Sequence, residues 1–249
     1  MKSELQHWWL AIRPKTLLAS IGPILLGTGL ASSGSELHLG LFCVTLSCAV
    51  LLQISVNLAN DLFDSLSGVD TAHRLGPIRA VQSGAISIAA IKIALLITCS
   101  LAIVLGLYLI AIGGWPILLV GILSLLGVFA YSAGPWPLAS HALGEVTVLV
   151  FFGWIAVLGS FYLQTGFISV NAFAFATNAG LYSSAIMLVN NIRDINTDQR
   201  AGKHTLAVVL GDKNARYALA LLFSTALIIH LFLIFYVACR LLFRWWGMI

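Results

Sequence analysis

Two polar stretches interrupt an otherwise oily chain: Asn57-Leu58-Ala59-Asn60-Asp61-Leu62-Phe63-Asp64 and Asn190-Asn191-Ile192-Arg193-Asp194-Ile195-Asn196-Thr197-Asp198. Asp61, Asp64, Asp194 and Asp198 are four of the nine acidic residues, and a fifth, Asp70, follows the first stretch. Both stretches repeat the spacing Asn-x-x-x-Asp. Residues three and four apart are neighbours on a helix, so Asn57, Asp61 and Asp64 share one face, Asn60 pairs with Asp64, and Asn190, Asp194 and Asp198 form a single stripe. Carboxylates stacked in this way repel one another unless a cation lies between them or their pKa values rise. Mg²⁺ takes oxygen ligands and typically binds through one or two carboxylates together with the phosphate oxygens of a substrate. Basic residues follow each stripe, Arg74 and Arg79 after the first, Arg200 and Lys203 after the second. Two facing stripes of this kind can hold a diphosphate between metal ions on one side and guanidinium or ammonium groups on the other.

The plainer alternative is a pair of solvated helix ends, since Asn and Asp are common caps. One stripe alone fits that reading well; two with the same spacing fit it poorly in a chain so short of acid. An ion-coupled transporter or a lipid-binding membrane protein is the competitor from another class, because polar residues in membrane helices often mark ion pathways. Transport predicts charge near helix centres, whereas these acids sit at helix ends. The recurrence of the spacing is compatible with an internal duplication and equally with convergence on one ligand geometry.

The elements that carry these stripes are membrane helices. The chain is 60% hydrophobic and 9% charged, with mean hydropathy +1.00, against roughly 25% charged residues in soluble domains. Continuous runs rich in Leu, Ile and Ala, each near the ~20 residues that cross a bilayer, lie at 17–33, 39–60, 86–112, 115–132, 142–164, 168–189 and 214–238. They predict an all-α, multi-pass bundle of seven helices in a single domain, 1–249. A β-barrel would show short alternating segments instead. The N-terminal residues, with Trp8 and Trp9, read as an interfacial anchor and not as a cleaved signal peptide. Cys43, Cys48, Cys99 and Cys239 lack metal-ligand spacing and read as packing residues.

Basic residues cluster before the first helix (Lys2, Arg13, Lys15), after the second and after the sixth, while the connections near 34–38, 113–114 and 165–167 carry none. By the positive-inside rule the N-terminus and both acidic loops face the cytoplasm, although Arg240 and Arg244 in the tail run against the pattern. The net charge of +4 is largely this topological bias and gives no argument for nucleic acid. The longer polar connections, 61–85 and 190–213, share one membrane side with a shorter one, Tyr131-Ser132-Ala133-Gly134-Pro135-Trp136-Pro137-Leu138, whose Gly-Pro and Trp-Pro steps must end the fourth helix.

At these residues the chain resembles the UbiA-type intramembrane aromatic prenyltransferases, whose marks are an Asn/Asp-rich motif after helix two and an Asp-x-x-x-Asp motif after helix six. Further blocks carry the likeness: Arg13-Pro14-Lys15-Thr16-Leu17, Gly68-Val69-Asp70, Arg74-Leu75-Gly76-Pro77-Ile78-Arg79, Tyr131 to Leu138, Leu143-Gly144-Glu145, Phe151-Phe152-Gly153 and Gly202-Lys203-His204-Thr205-Leu206. They span roughly 13–211 and favour the branch that prenylates 1,4-dihydroxy-2-naphthoate. The resemblance implies that a polyprenyl diphosphate binds with its head between the motifs and its tail in a groove open to membrane lipid. It implies that Asn57, Asp61, Asp64, Asp194 and Asp198 hold Mg²⁺, with Asp61 and Asp194 essential to turnover and Asp70 an added contact. Arg13, Lys15, Asn60, Arg74, Arg79, Asn190, Arg200 and Lys203 are implied substrate contacts.

The allylic cation would then attack the naphthoate ring, with loss of diphosphate and CO₂, giving demethylmenaquinone in the cytoplasmic membrane. Tyr131 is the aromatic face implied for the cation, or else an interfacial belt residue. Glu145 either orients the naphthoate or simply complements a helix dipole. His73 and His204 read as solvated loop residues. The family has nine helices, so the last pair is expected to be absent here; the sequence leaves prenyl length and oligomeric state open.

Overall fold

The computed structural model describes residues 4–34, 36–67 and 79–245, so Asp70, His73 and Arg74 lie outside the described residues. Its helices are α1 Glu4–Ile12, α2 Pro14–Ser32, α3 Leu39–Leu66, α4 Ile88–Ala130, α5 Gly144–Val148, α6 Gly159–Thr165, α7 Val170–Arg193, α8 Ile195–Arg200 and α9 Leu206–Trp245. A wide π-helical stretch, Leu149–Leu158, joins α5 to α6, so that Gly144–Thr165 is one membrane-crossing rod. No strand occurs among the described residues.

Helix α4 has 43 residues, about 65 Å at 1.5 Å per residue, twice the hydrocarbon core. It does not run straight. Gly114, at φ 67 and ψ −154, occupies a region essentially closed to residues with a Cβ, and there the chain doubles back. Both ends of α4 meet the same end of α3: Ile86 N–H donates to the Ala80 carbonyl, Ala80 N–H donates to Asp61, and the Ser132 hydroxyl donates to Asn60. Among the described residues six helices are apolar and long enough to cross a membrane, and the reversal within α4 adds one pass. The seven passes follow the seven apolar runs, with the break between 112 and 115 where the Gly-Gly-Trp-Pro sequence places it. Gly211 (φ 74) makes a second break, near the start of α9.

Lipid tails are as apolar as leucine, so a membrane bundle is held by close packing and by polar contacts, not by an apolar core. Small residues make one of the close crossings. A Cβ on Gly153 would lie 2.7 Å from the Ala176 carbonyl oxygen and 2.8 Å from Gly180 Cα, so the rod and α7 touch backbone to backbone. Leu and Ile side chains such as Leu96, Ile97, Leu107, Leu221 and Ile228 project outward as the lipid-facing surface. At the end of the bundle that carries the polar loops, α1, α3, the turn at 80–86 and both halves of α4 close over Leu58, Leu62, Ala80, Ile91 and Val128. This apolar cap fixes the end of α3, and the first acidic motif is built into it.

Candidate active site

Helix α3 runs unbroken through Asn57–Asp64 to Leu66, so the first stripe stands on one helical face as its spacing predicts. Each polar side chain on it meets a different part of the chain. Asp61, 1% exposed, accepts the backbone N–H groups of Ala80 at 3.0 Å and Val81 at 3.4 Å. Two backbone donors thus fix the orientation of one buried carboxylate. Asp64 accepts from Arg79 Nη2 at 2.5 Å, and the Lys203 ammonium stands 3.7 Å from the same oxygen. Asn60 accepts from Ser132, and Asn57 donates to the Ile12 carbonyl at 2.7 Å and to Thr16 Oγ1 at 2.8 Å.

The second motif departs from the expected single stripe. Helix α7 ends at Arg193, and Asp194 (φ −94, ψ 8) is the joint from which α8 starts. Four-residue backbone bonds survive across the joint, Asp194 N–H to Asn190 at 3.0 Å and Asp198 N–H to Asp194 at 2.9 Å, but the axis is interrupted. Arg193 holds both Asp194 oxygens at 2.7 Å. Asn190, Arg200 and Lys15 are exposed, whereas Asp198 is half-buried and its carbonyl accepts the Lys203 N–H at 2.9 Å. That bond turns the chain so that Lys203 points back at Asp64. The loops therefore meet through an ammonium and a carboxylate. A second tie joins the 131–141 connection to the same loop, His204 N–H to the Ser140 carbonyl at 2.9 Å.

Tyr131, directly after α4, is half-buried, with its hydroxyl 3.7 Å from Met187 Sδ. Burial, and then the charges of Glu145 and Asp64, push its phenol well above the ordinary range, while Arg13 pulls it down. The phenol therefore stays neutral in the field of three charged groups from three elements. Glu145 stands in the first turn of α5 and is 5% exposed. Its Oε1 accepts from Asn191 Nδ2 at 2.8 Å, and its Oε2 is buried without a hydrogen-bond partner. A cleft of about 320 Å³ opens between Phe63, Asp64, Ser132, Pro137, Ser140 and Lys203.

Asp61, Asp64, Asn60, Arg79 and Lys203 are thus brought together, with Tyr131, Arg13 and Glu145 beside them. Three further participants lacked a sequence signal. Ser132 and Ser140 lie in a loop marked only by prolines, and Asn191 falls off the i, i+4 stripe. The donors suit a hard divalent cation, since the carboxylates are all-oxygen ligands at a mouth also lined by cations. Among the described residues, no three acidic, His or Cys side chains converge into a ready-made cage. That arrangement fits a metal ion held by one or two carboxylates at a time and completed by a substrate's own oxygens.

Residues 20–249 match the UbiA prenyltransferase family. The chain belongs to that family. Its UbiA relatives include the 1,4-dihydroxy-2-naphthoate octaprenyltransferase of Escherichia coli (strain K12), 39% identical over 240 residues, covering 94% of this chain and 78% of that protein. The protein of the same name from Bacillus subtilis (strain 168) is 36% identical over 223 residues, covering 90% and 72%. Among solved structures, a UbiA homologue from Archaeoglobus fulgidus bound to DMAPP and Mg²⁺ superposes with a TM-score of 0.69 at 16% identity, covering 91% of this chain and 77% of that one. The same homologue bound to GPP and Mg²⁺ gives 0.69 at 18% identity over the same shares. These likenesses in structure establish the fold: a multi-pass, all-α UbiA bundle.

Proposed function

We propose that this UbiA chain, as a single membrane domain, transfers a polyprenyl group from polyprenyl diphosphate to 1,4-dihydroxy-2-naphthoate. Diphosphate and CO₂ leave, and the ring keeps its two hydroxyls, giving demethylmenaquinone in its quinol form. The observation that carries the reading is the tie between the two loops: Lys203 from the second reaches Asp64 on the first, so that both motifs serve one site at one end of an apolar bundle. The choice of acceptor rests on the likeness to the naphthoate-specific relatives. The cluster of basic residues at that end supports a cytoplasmic site, in the inner membrane where a bacterium has two.

Asp61, Asp64, Asp194 and Asp198 are the residues that would hold Mg²⁺. When bound, Mg²⁺ supplies Lewis-acid neutralisation of the departing diphosphate. The chain's own groups do the rest. The backbone of Ala80 and Val81 holds the Asp61 carboxylate in place, so little reorganisation is needed when the substrate arrives. Arg79 and Lys203, which neutralise Asp64 in the free site, are placed to exchange that contact for diphosphate oxygens, and Arg13 adds a third cation. Arg193 releases Asp194 at low cost, because the pair is exposed on the arginine side and exposed pairs contribute only about 0.2–1 kcal/mol. Tyr131 offers the allylic cation a π-face, and as a neutral phenol it is a poor trap for it.

The test is product stoichiometry. Membranes given Mg²⁺, a polyprenyl diphosphate and carboxyl-labelled dihydroxynaphthoate should release labelled CO₂ and diphosphate in equal amounts with the prenylated quinol. Turnover of 4-hydroxybenzoate instead would overturn the choice of acceptor.

A further inference from the structure

The metal set implied by family likeness includes Asn57, yet its amide is committed elsewhere. Asn57 is 2% exposed. Its Nδ2 donates both hydrogens, to the Ile12 carbonyl at 2.7 Å and to Thr16 Oγ1 at 2.8 Å, and its Oδ1 accepts from Gln53 Nε2 at 3.4 Å. The orientation is not interchangeable, because a carbonyl such as Ile12 can only accept, so the nitrogen must face it. The oxygen therefore points toward Gln53, one turn deeper in the membrane, and away from Asp61, one turn nearer the mouth.

What Asn57 grips is a hinge. Arg13 sits between α1 and α2 at φ 55 and ψ 70, a left-handed conformation that a side chain with a long stem adopts only when its surroundings impose it. Ile12 precedes the hinge and Thr16 follows it. Thr16 also closes the turn, its N–H and hydroxyl both donating to the Arg13 carbonyl at 2.9 Å. One amide thus clamps both sides of the strained residue to α3. Beyond the hinge, the Arg13 charge reaches the Tyr131 ring, which also senses Asp64.

We infer that Asn57 is a positioning residue, which locks the left-handed hinge and so aims the Arg13 guanidinium at the diphosphate of the substrate. This deepens the transferase reading and rests on it. The substitution Asn57→Asp separates the two roles because they predict opposite effects. A carboxylate is the better Mg²⁺ ligand, so a metal role keeps activity or lowers the Mg²⁺ requirement. A hinge role sets two acceptors, the new carboxylate and the Ile12 carbonyl, against each other.

Binding of a non-hydrolysable prenyl thiodiphosphate in EDTA, where only the protein's own cations act, should weaken about tenfold in Asn57→Asp. In turnover, KM for the prenyl diphosphate should rise with the half-saturating Mg²⁺ unchanged. Thr16→Val, which removes only the hydroxyl that links Asn57 to the Arg13 carbonyl and adds no charge, should shift KM in the same direction, and Arg13→Ala with Asn57→Asp should be no worse than either alone. Unchanged analogue binding in EDTA with an altered Mg²⁺ requirement overturns the hinge and leaves the transferase standing. A wild-type protein that binds the analogue with Mg²⁺ but not in EDTA overturns the hinge alone, and one that does not bind it even with saturating Mg²⁺ overturns both.

Discussion

Replacing Lys203 by methionine keeps most of the aliphatic stem and removes the ammonium that joins the two loops. At 3.7 Å from the Asp64 carboxylate, two unit charges attract by about 4.5 kcal/mol at an effective dielectric constant of 20. Water reaches both ends, which are 16% and 15% exposed, and Arg79 already occupies the same oxygen at 2.5 Å. Those two facts reduce the expected coupling to about 1–2 kcal/mol, above an exposed pair and below a sealed one. A double-mutant cycle of Lys203→Met and Asp64→Asn, read from equilibrium unfolding in mixed micelles, isolates the pairwise part. The same Lys203→Met protein should show a raised KM for prenyl diphosphate, because the ammonium is then missing from the mouth. A coupling below about 0.3 kcal/mol, the scatter of independent sites, would refute the idea that the loops are tethered through this pair.

Gly153→Leu should prevent monodisperse folding, because even a Cβ meets the Ala176 carbonyl oxygen at 2.7 Å; size-exclusion profiles in detergent check it, with a destabilisation of about 1–3 kcal/mol or more expected. Tyr131→Phe should retain most turnover and Tyr131→Leu should lose about 3- to 30-fold, the range of a desolvated cation–π contact. Because the folded-state phenol is raised above its ordinary value of about 10, its contribution to stability is complete below that pH and is lost as pH rises past it. Accordingly, the wild-type minus Tyr131→Phe absorbance difference should show no phenolate at any pH below about 10 in the folded protein.

Much of this was legible in the sequence because a bilayer leaves few choices. Apolar runs of crossing length, broken at Gly114 and at the Gly-Pro and Trp-Pro steps, gave the passes and their ends. The first stripe was legible because α3 carries its helical period past the polar boundary. The second was not, since an i, i+4 ladder carries no sign that Asp194 has non-helical angles and that Arg193 holds its carboxylate. Lys203 could be placed near an acid, but not next to Asp64, because that contact depends on the turn closed by Asp198. Glu145 looked like a first-turn acid from its position alone; its burial comes from α7, whose Asn191 and Ser184 reach across to it. Asn57 shows the same limit most clearly, because its partners lie on an N-terminal hinge about forty residues away whose left-handed turn has no residue-type signature.

The central claim is that the two polar loops form one diphosphate site. The most direct measurement is the formation of prenylated naphthoquinol by purified protein in lipid vesicles, with saturating Mg²⁺, comparing wild type with Asp61→Asn and Asp194→Asn. One shared site predicts that each substitution alone abolishes product while the protein keeps its helical content and monodispersity. Full turnover by either folded variant would contradict it.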